Sequence, residues 1–174
     1  MNTTLKMARI LPNQLKIIDQ NDINTTVALA RHSPTYRSPI LLNKSFSEKP
    51  QRFVNCLTST TYVRPHNHVD TGHWELMSWI AGVVYVIFFD EEGKVTGKIK
   101  MSADDVKIIE IPPDLYHTFI TPDYAAYLEI RNCTYEPNFD RVYPAWAPPE
   151  KSPTLPLYIK KLYHAVENQP LIIS

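Results

Sequence analysis

The chain is short of cysteine, carries no net charge and has no apolar run of membrane-spanning length, and each shortage removes a class of protein. Of its 174 residues only Cys56 and Cys133 are cysteines. They lie far apart and outside any Cys-x-x-Cys pattern, so each reads as a small buried apolar group and not as a thiolate nucleophile or ligand. Lysine plus arginine equal aspartate plus glutamate at 18 each, and nothing in that balance points to nucleic acid or an anionic membrane as partner. The longest apolar run, residues 80–89, contains a glycine and is about half the ~20 residues a membrane-spanning helix needs. It reads as a buried strand pair or one long core strand. The first residues, MNTTLKMARI, lack the apolar core of a secretory signal, so a reduced, cytoplasmic protein is expected. The length suits one domain with a sizeable core, and there is no internal repeat or low-complexity tract.

What is present is β-rich. Residues 15–18 read as a short edge strand, and Asn21 or Asp22 can N-cap a helix over about 22–31, with Ile23, Val27 and Ala30 at helical spacing. Pro34 stops it. Residues 33–50 form a loop with one strand at 39–42. Runs at 53–57, 61–65, 74–81, 83–90, 94–101, 106–111, 118–120 and 125–132 are rich in valine, isoleucine, tyrosine and phenylalanine and are separated by turn signals. About eight short strands without helices between them predict an all-β sandwich or barrel. The expected division is an N-terminal extension (1–50), a barrel (51–135) and a proline-rich C-terminal segment packing on it (136–174), with one short helix at 157–166 burying Ile159, Leu162 and Tyr163.

Three of the six histidines and one glutamate fall in the stretch 66–75. His66 and His68 follow a β-rich run, and on an extended strand an i, i+2 pair shares a face and can share a metal. Read in order, the pattern is His66-x-His68, six residues, Glu75, six more, Gly82, then Pro112-x-Asp114-x-x-His117. This resembles the two cupin motifs. The gap before Glu75 is longer than usual, Asp114 stands where the second motif has glycine, and Thr121 where it ends in asparagine. Aspartate is among the few residues that enter the left-handed region such a turn requires. Pro50-Gln51-Arg52 with Asn55, the run Thr61 through His66, Phe88-Phe89-Asp90 with Gly93, Ile111-Pro112, His117-Thr118 and Ala147-Pro148-Pro149-Glu150 are similar to the WbuC family of cupin-fold metalloproteins. The resemblance covers roughly residues 30–151. It implies a cupin-type double-stranded β-helix (jelly-roll) barrel holding one divalent metal, in a family found with genes for O-antigen and other surface polysaccharides.

Neutral imidazoles and a carboxylate suit zinc, iron, manganese, nickel or cobalt and leave positions open for water or substrate. The expected ligands are His66, His68, Glu75 and His117, with His73 an alternative because it would share Glu75's strand face. By the same alternation Tyr62 and Arg64 face the metal, and Met77 and Trp79 continue the face of Glu75. Tyr127, Glu129 and Arg131 share one side of the last strand, which lines either the barrel mouth or a solvated outer face. Tyr116 is expected to pack, and His32 and His164 to be surface or packing histidines. Three functions follow. The first is a metal enzyme acting on a sugar or nucleotide sugar in surface polysaccharide synthesis. The others are a ferrous-iron dioxygenase and a non-catalytic saccharide-binding module. Barrels of this kind commonly pair, so a homodimer is expected by analogy.

Overall fold

The computed structural model describes residues 6–68, 73–135, 141–169 and 171. Its largest sheet runs β1 (Lys6–Met7), β4 (Arg37–Leu41), β5 (Gln51–Thr58), β11 (Tyr124–Arg131), β6 (Glu75–Gly82) and β9 (Ile108–Ile111). A three-stranded sheet of β10 (Tyr116–Ile120), β7 (Val84–Phe89) and β8 (Val95–Met101) faces it, and β2 (Arg9–Ile10) pairs with β3 (Lys16–Ile17) in a separate ribbon. All pairings are antiparallel except β1 with β4. The two larger sheets form a barrel, one of the two arrangements the strand pattern predicts, with the jelly-roll form that the family resemblance implies.

Strand periodicity explains how three cores arise from two sheets. On β5 and β11, Leu57, Ala125 and Tyr127 point between the sheets, with Met77, Val84, Val86 and Phe119 as neighbours. The alternate residues Val54, Cys56 and Ala126 point outward onto Ile23 and Val27 of α1 (Gln20–His32). On β7, Ile87 and Phe89 likewise turn outward onto Tyr158 and Leu162 of α2 (Leu155–Tyr163). Each sheet thus has a helix over part of its outer face, and the central strands are apolar on both sides, which is why 80–89 reads as one continuous run. It is two strands. Gly82 turns between them at φ +71°, where an added Cβ would lie 2.1 Å from the Tyr124 carbonyl oxygen, so only glycine fits.

Several boundaries differ from expectation for identifiable reasons. Helix α1 begins earlier, because Asp19 rather than Asn21 or Asp22 is the N-cap. Its side chain accepts from the Asp22 backbone N–H while the Asp22 carboxylate accepts from the Asp19 N–H, a reciprocal cap that satisfies two helix-end donors. Helix α2 starts at Leu155, and its buried residues are Tyr158 and Leu162, with Ile159 and Tyr163 only half-buried. Residues 61–65 form no strand. They run as extended coil between β5 and His66, where isolated bridges replace a ladder. Residues 6–10 carry more order than their sequence suggests, since β1 joins the edge of the main sheet and Lys6 and Arg9 both reach Asp22.

Asp22 therefore has a stability role that depends on pH. The Asp19 backbone N–H, then Lys6 and Arg9, hold its carboxyl down at about 2 against the opposing effect of burial. A carboxylate with a lowered folded pKa contributes stability above its unfolded pKa and loses it as pH falls toward the folded value. Asp22→Asn should lower the melting temperature at pH 7, and the gap to the parent should close as pH is lowered from about 5 toward 2. Thermal melts across that range check it, and a gap independent of pH would contradict the assignment.

Candidate metal centre

His66 and His68 stand on the short extended segment after the 61–65 coil, and two backbone bridges fix that segment in place. On one side His66 and His117 exchange N–H···O bonds of 3.1 and 2.9 Å; on the other Asn67 and Val142 do so at 3.1 and 3.0 Å. The two bridged residues His66 and Asn67 thus lie between β10 and the C-terminal chain, and extended alternation turns His66 and His68 to the same side. His117 arrives on β10 after a tight turn in which Asp114 has φ +65°, the left-handed conformation expected of it. Glu75 opens β6, directly opposite Arg131 of β11 and Ile111 of β9.

These four side chains meet in the interior. His66, His68, Glu75 and His117 are each at most 5% exposed, and one ligand atom from each lies within 4.8 Å of the others. Ligands about 2.1 Å from one ion stand up to roughly 4.2 Å apart, so small side-chain movements would bring all four to coordination distance. Two imidazoles are oriented by the same device: His66 Nδ1 lies 2.9 Å from the Arg64 carbonyl oxygen and His117 Nδ1 lies 2.8 Å from that of Leu115. A carbonyl can only accept, so both Nδ1 atoms carry a proton, and in the neutral form of each ring Nε2 presents a lone pair inward. Burial, then Arg141 and the neighbouring imidazoles, hold His66 well below the usual histidine pKa, which keeps it neutral.

That tautomer calls for positive charge at Glu75, carried by a proton or by a metal ion. His117 Nε2 lies 3.2 Å from one Glu75 oxygen and His68 Nε2 lies 2.9 Å from the other. A neutral His117 would point its lone pair at a carboxylate oxygen, a repulsive contact. The contact becomes favourable only with a proton on Nε2 or a metal ion between the ligands. Burial would raise the Glu75 carboxyl, but the neighbouring His117 and His68 imidazoles hold it well below the usual range. A buried carboxylate without a compensating charge costs several kcal/mol, and the Arg131 Nε at 3.7 Å is shared with Glu129 at 3.3 Å. The donor set, three imidazoles and one carboxylate, fits a divalent ion.

The remaining residues singled out in the sequence divide. Glu129 and Arg131 point inward and are buried. Asn55 Nδ2 donates to Glu129 at 2.6 Å, and the Arg131 guanidinium lies over the Phe53 and Tyr135 rings. Burial and then the charge of Glu75 push the Glu129 carboxyl above the usual range. Glu129, Arg131, Tyr127, Asn55 and Arg141 line a cavity of about 330 Å³. Tyr62, by contrast, turns outward, because no strand imposes alternation on 61–65. Its hydroxyl donates to the Pro148 carbonyl and its ring packs edge-on against Tyr158. Arg64 donates to the carbonyls of Ala147 and Pro144 and covers the Tyr143 ring; what it gives the centre is its backbone oxygen on His66. Trp79 is wall, its indole donating to the Gly82 carbonyl beneath Lys107. His73 precedes β6, half-buried and outside the cluster, and the residues 69–72 between it and His68 lie outside those described. Arg141 and Asn55 were not singled out as site residues. The only sequence signal for Arg141 is its alternation with Tyr143 in an otherwise proline-rich segment.

A family described as a domain of unknown function (DUF6016) matches residues 18–101, a span that takes in α1 and three residues of the cluster. The comparison with curated proteins gives no match. Among solved structures the chain is similar to protein SO0799 of Shewanella oneidensis, at 9% identity and a TM-score of 0.51 over 60% of this chain and 72% of that one. It is also similar to the capsular polysaccharide assembling protein CapF of Staphylococcus aureus, at 15% identity and a TM-score of 0.50 over 62% of this chain and 29% of CapF. A cupin-2 domain containing protein of Shewanella frigidimarina aligns more loosely, at 18% identity and a TM-score of 0.41 over 53% of this chain and 78% of that one. At these identities the likeness to SO0799 and CapF extends to the fold alone, a jelly-roll barrel. Among the described residues no helix is long and apolar enough to cross a membrane.

Zinc or manganese added to metal-free protein should raise its melting temperature, by an amount equivalent to about 4 kcal/mol when the ion is at a thousand times its Kd. Glu75→Gln and His117→Ala should remove most of the rise, His73→Ala should keep it, and uptake should weaken on acidification because the ligands must be deprotonated. Calorimetry with elemental analysis measures this. No shift with any of manganese, iron, nickel or zinc would exclude a metal role.

Proposed function

We propose that this chain is a metal-binding cupin of the WbuC type, in which His66, His68, Glu75 and His117 hold one divalent ion beside a ligand cavity. The ligand is a sugar or nucleotide sugar of bacterial surface polysaccharide synthesis. One observation carries the proposal: the buried His66 and His117 commit Nδ1 to backbone carbonyls and turn Nε2 into a cluster with the buried Glu75 carboxylate, next to a cavity lined by Glu129, Arg131, Asn55 and Tyr127. The fold shared with CapF, whose own description is a capsular polysaccharide assembling protein, supports the choice of ligand class. An ion bound there would polarise a ligand carbonyl or hydroxyl as a Lewis acid. Glu129, held by Asn55 and Arg131, is the carboxyl that faces the cavity, so it and not Tyr62 is the group placed to accept or donate a proton at a bound ligand. The same ligand set suits ferrous iron, which makes dioxygenase chemistry the competing proposal.

Protein loaded in turn with manganese, zinc and ferrous iron should be incubated with a panel of free sugars and sugar nucleotides, with turnover followed by NMR and binding by calorimetry. At least one member should bind, and Glu129→Gln should lower turnover at least tenfold while metal content stays unchanged. Binding without turnover would identify a non-catalytic module, and oxygen uptake by the iron form alone would identify the dioxygenase. Neither binding nor turnover across the panel would overturn the assignment.

A further inference from the structure

The C-terminal chain contributes a charged side chain to the cavity that no part of the metal cluster uses. Asn67 and Val142 form an antiparallel bridge, so one step along it Arg141 stands opposite His68 and Tyr143 opposite His66. Residues one step to either side of a bridged pair share the face away from it, and the His66 and Tyr143 rings do lie 6.2 Å apart. Arg141 is thereby turned toward the cluster and lines the cavity, with its Nε buried and without a hydrogen-bond partner. Among the described residues no carboxylate forms an ion pair with it. Its neighbour in the cavity, Arg131, is committed to Glu129 and Glu75, and Arg37, on the opposite rim, is committed to the Tyr62 carbonyl and to Glu150.

Counting charges decides what such an arginine is for. In and around the cavity, Glu75 and Glu129 at most balance Arg131 and Arg141. A divalent ion on the cluster, coordinated by neutral imidazoles, then leaves at least two positive charges without a counter-charge in a poorly hydrated interior. An isolated charge there costs several kcal/mol, whereas a guanidinium meets an oxyanion with paired, charge-assisted hydrogen bonds. Part of the lining is aromatic: the Phe46 and Tyr135 rings pack tilted with centroids 5.0 Å apart, and Phe53 lines the same cavity. We infer that the cavity is a subsite for the carboxylate or phosphate group of a small ligand, with Arg141 as its anchor and the body of the ligand against the Phe46, Phe53 and Tyr135 wall. This rests on the proposed metal site for the size of the charge excess, but the orientation of Arg141 stands without it.

The test uses the full chain, manganese-loaded and metal-free, titrated calorimetrically with glucuronate, glucose 1-phosphate, inorganic phosphate and, as the neutral comparator, glucose. Loaded protein should bind glucuronate or the phosphates at least tenfold more tightly than glucose, and the stronger of the two anion classes identifies the source of the charge. Arg141→Ala should weaken that anion roughly tenfold or more, with Arg141→Lys intermediate and manganese content unchanged in both, their folding checked by melting. An anion affinity within twofold of the parent in Arg141→Ala, or glucose binding as well as the anions, would overturn the inference, as would failure of every anion to bind. Failure to take up manganese would count against the metal site instead. In that case an Arg141-dependent affinity in the metal-free protein still supports the subsite, and its absence there refutes it.

Discussion

The reciprocal backbone bridge between His66 and His117 is the contact on which the centre depends. It joins two stretches some fifty residues apart, one of which has no other sheet partner on that side. It also sets both imidazoles at matching height, so that each Nδ1 can reach the carbonyl two residues before it. Without the bridge, the 61–68 segment would be an extended coil on the barrel, and the His-x-His spacing would guarantee a shared face but no location. With it, the proton positions on two rings follow from backbone geometry. The demand for positive charge at Glu75 follows from those positions.

How far this could be read from the chain depended on the range of the interaction concerned. Strands β5, β7 and β11 were legible because β-rich composition and turn signals are local properties, and so was the left-handed Asp114, since few residue types tolerate that conformation. The meeting of His66, His68, Glu75 and His117 was legible only through motif spacing. The side on which Tyr62 lies was not. Thr61-Tyr62-Val63 has strand composition, and the alternation inferred from it placed Tyr62 with His66. The partners that decide its orientation, Tyr158 and Pro148, lie more than 80 residues away. The start of α1 was missed for a smaller reason. Asp19 and Asp22 form a reciprocal pair three residues apart, and either can be taken for the cap when the pair is not recognised. Arg141 left no more than its alternation with Tyr143 as a signal, because a single bridge between Val142 and Asn67 leaves no longer periodic trace in sequence.

Strand β11 shows how one element serves both stability and the site. Its inward residues run Ala125, Tyr127, Glu129, Arg131, and the apolar pair packs among Leu57, Val84 and Phe119 while the charged pair lines the cavity beside Glu75. Burying the charged pair is unfavourable by several kcal/mol for each uncompensated charge, so it can persist only where the same rigid strand is already fixed by packing at its other end and by ladders to β5 and β6. A cavity needing two charged groups within a few ångströms of a buried cluster gains from that arrangement, since the side chains are positioned by a strand held on both edges and not by a loop. Arg141 is the exception. It reaches the cavity from an irregular segment held near it by one bridge, and of the charged groups there it is the one whose position a bound anion would most readily reinforce.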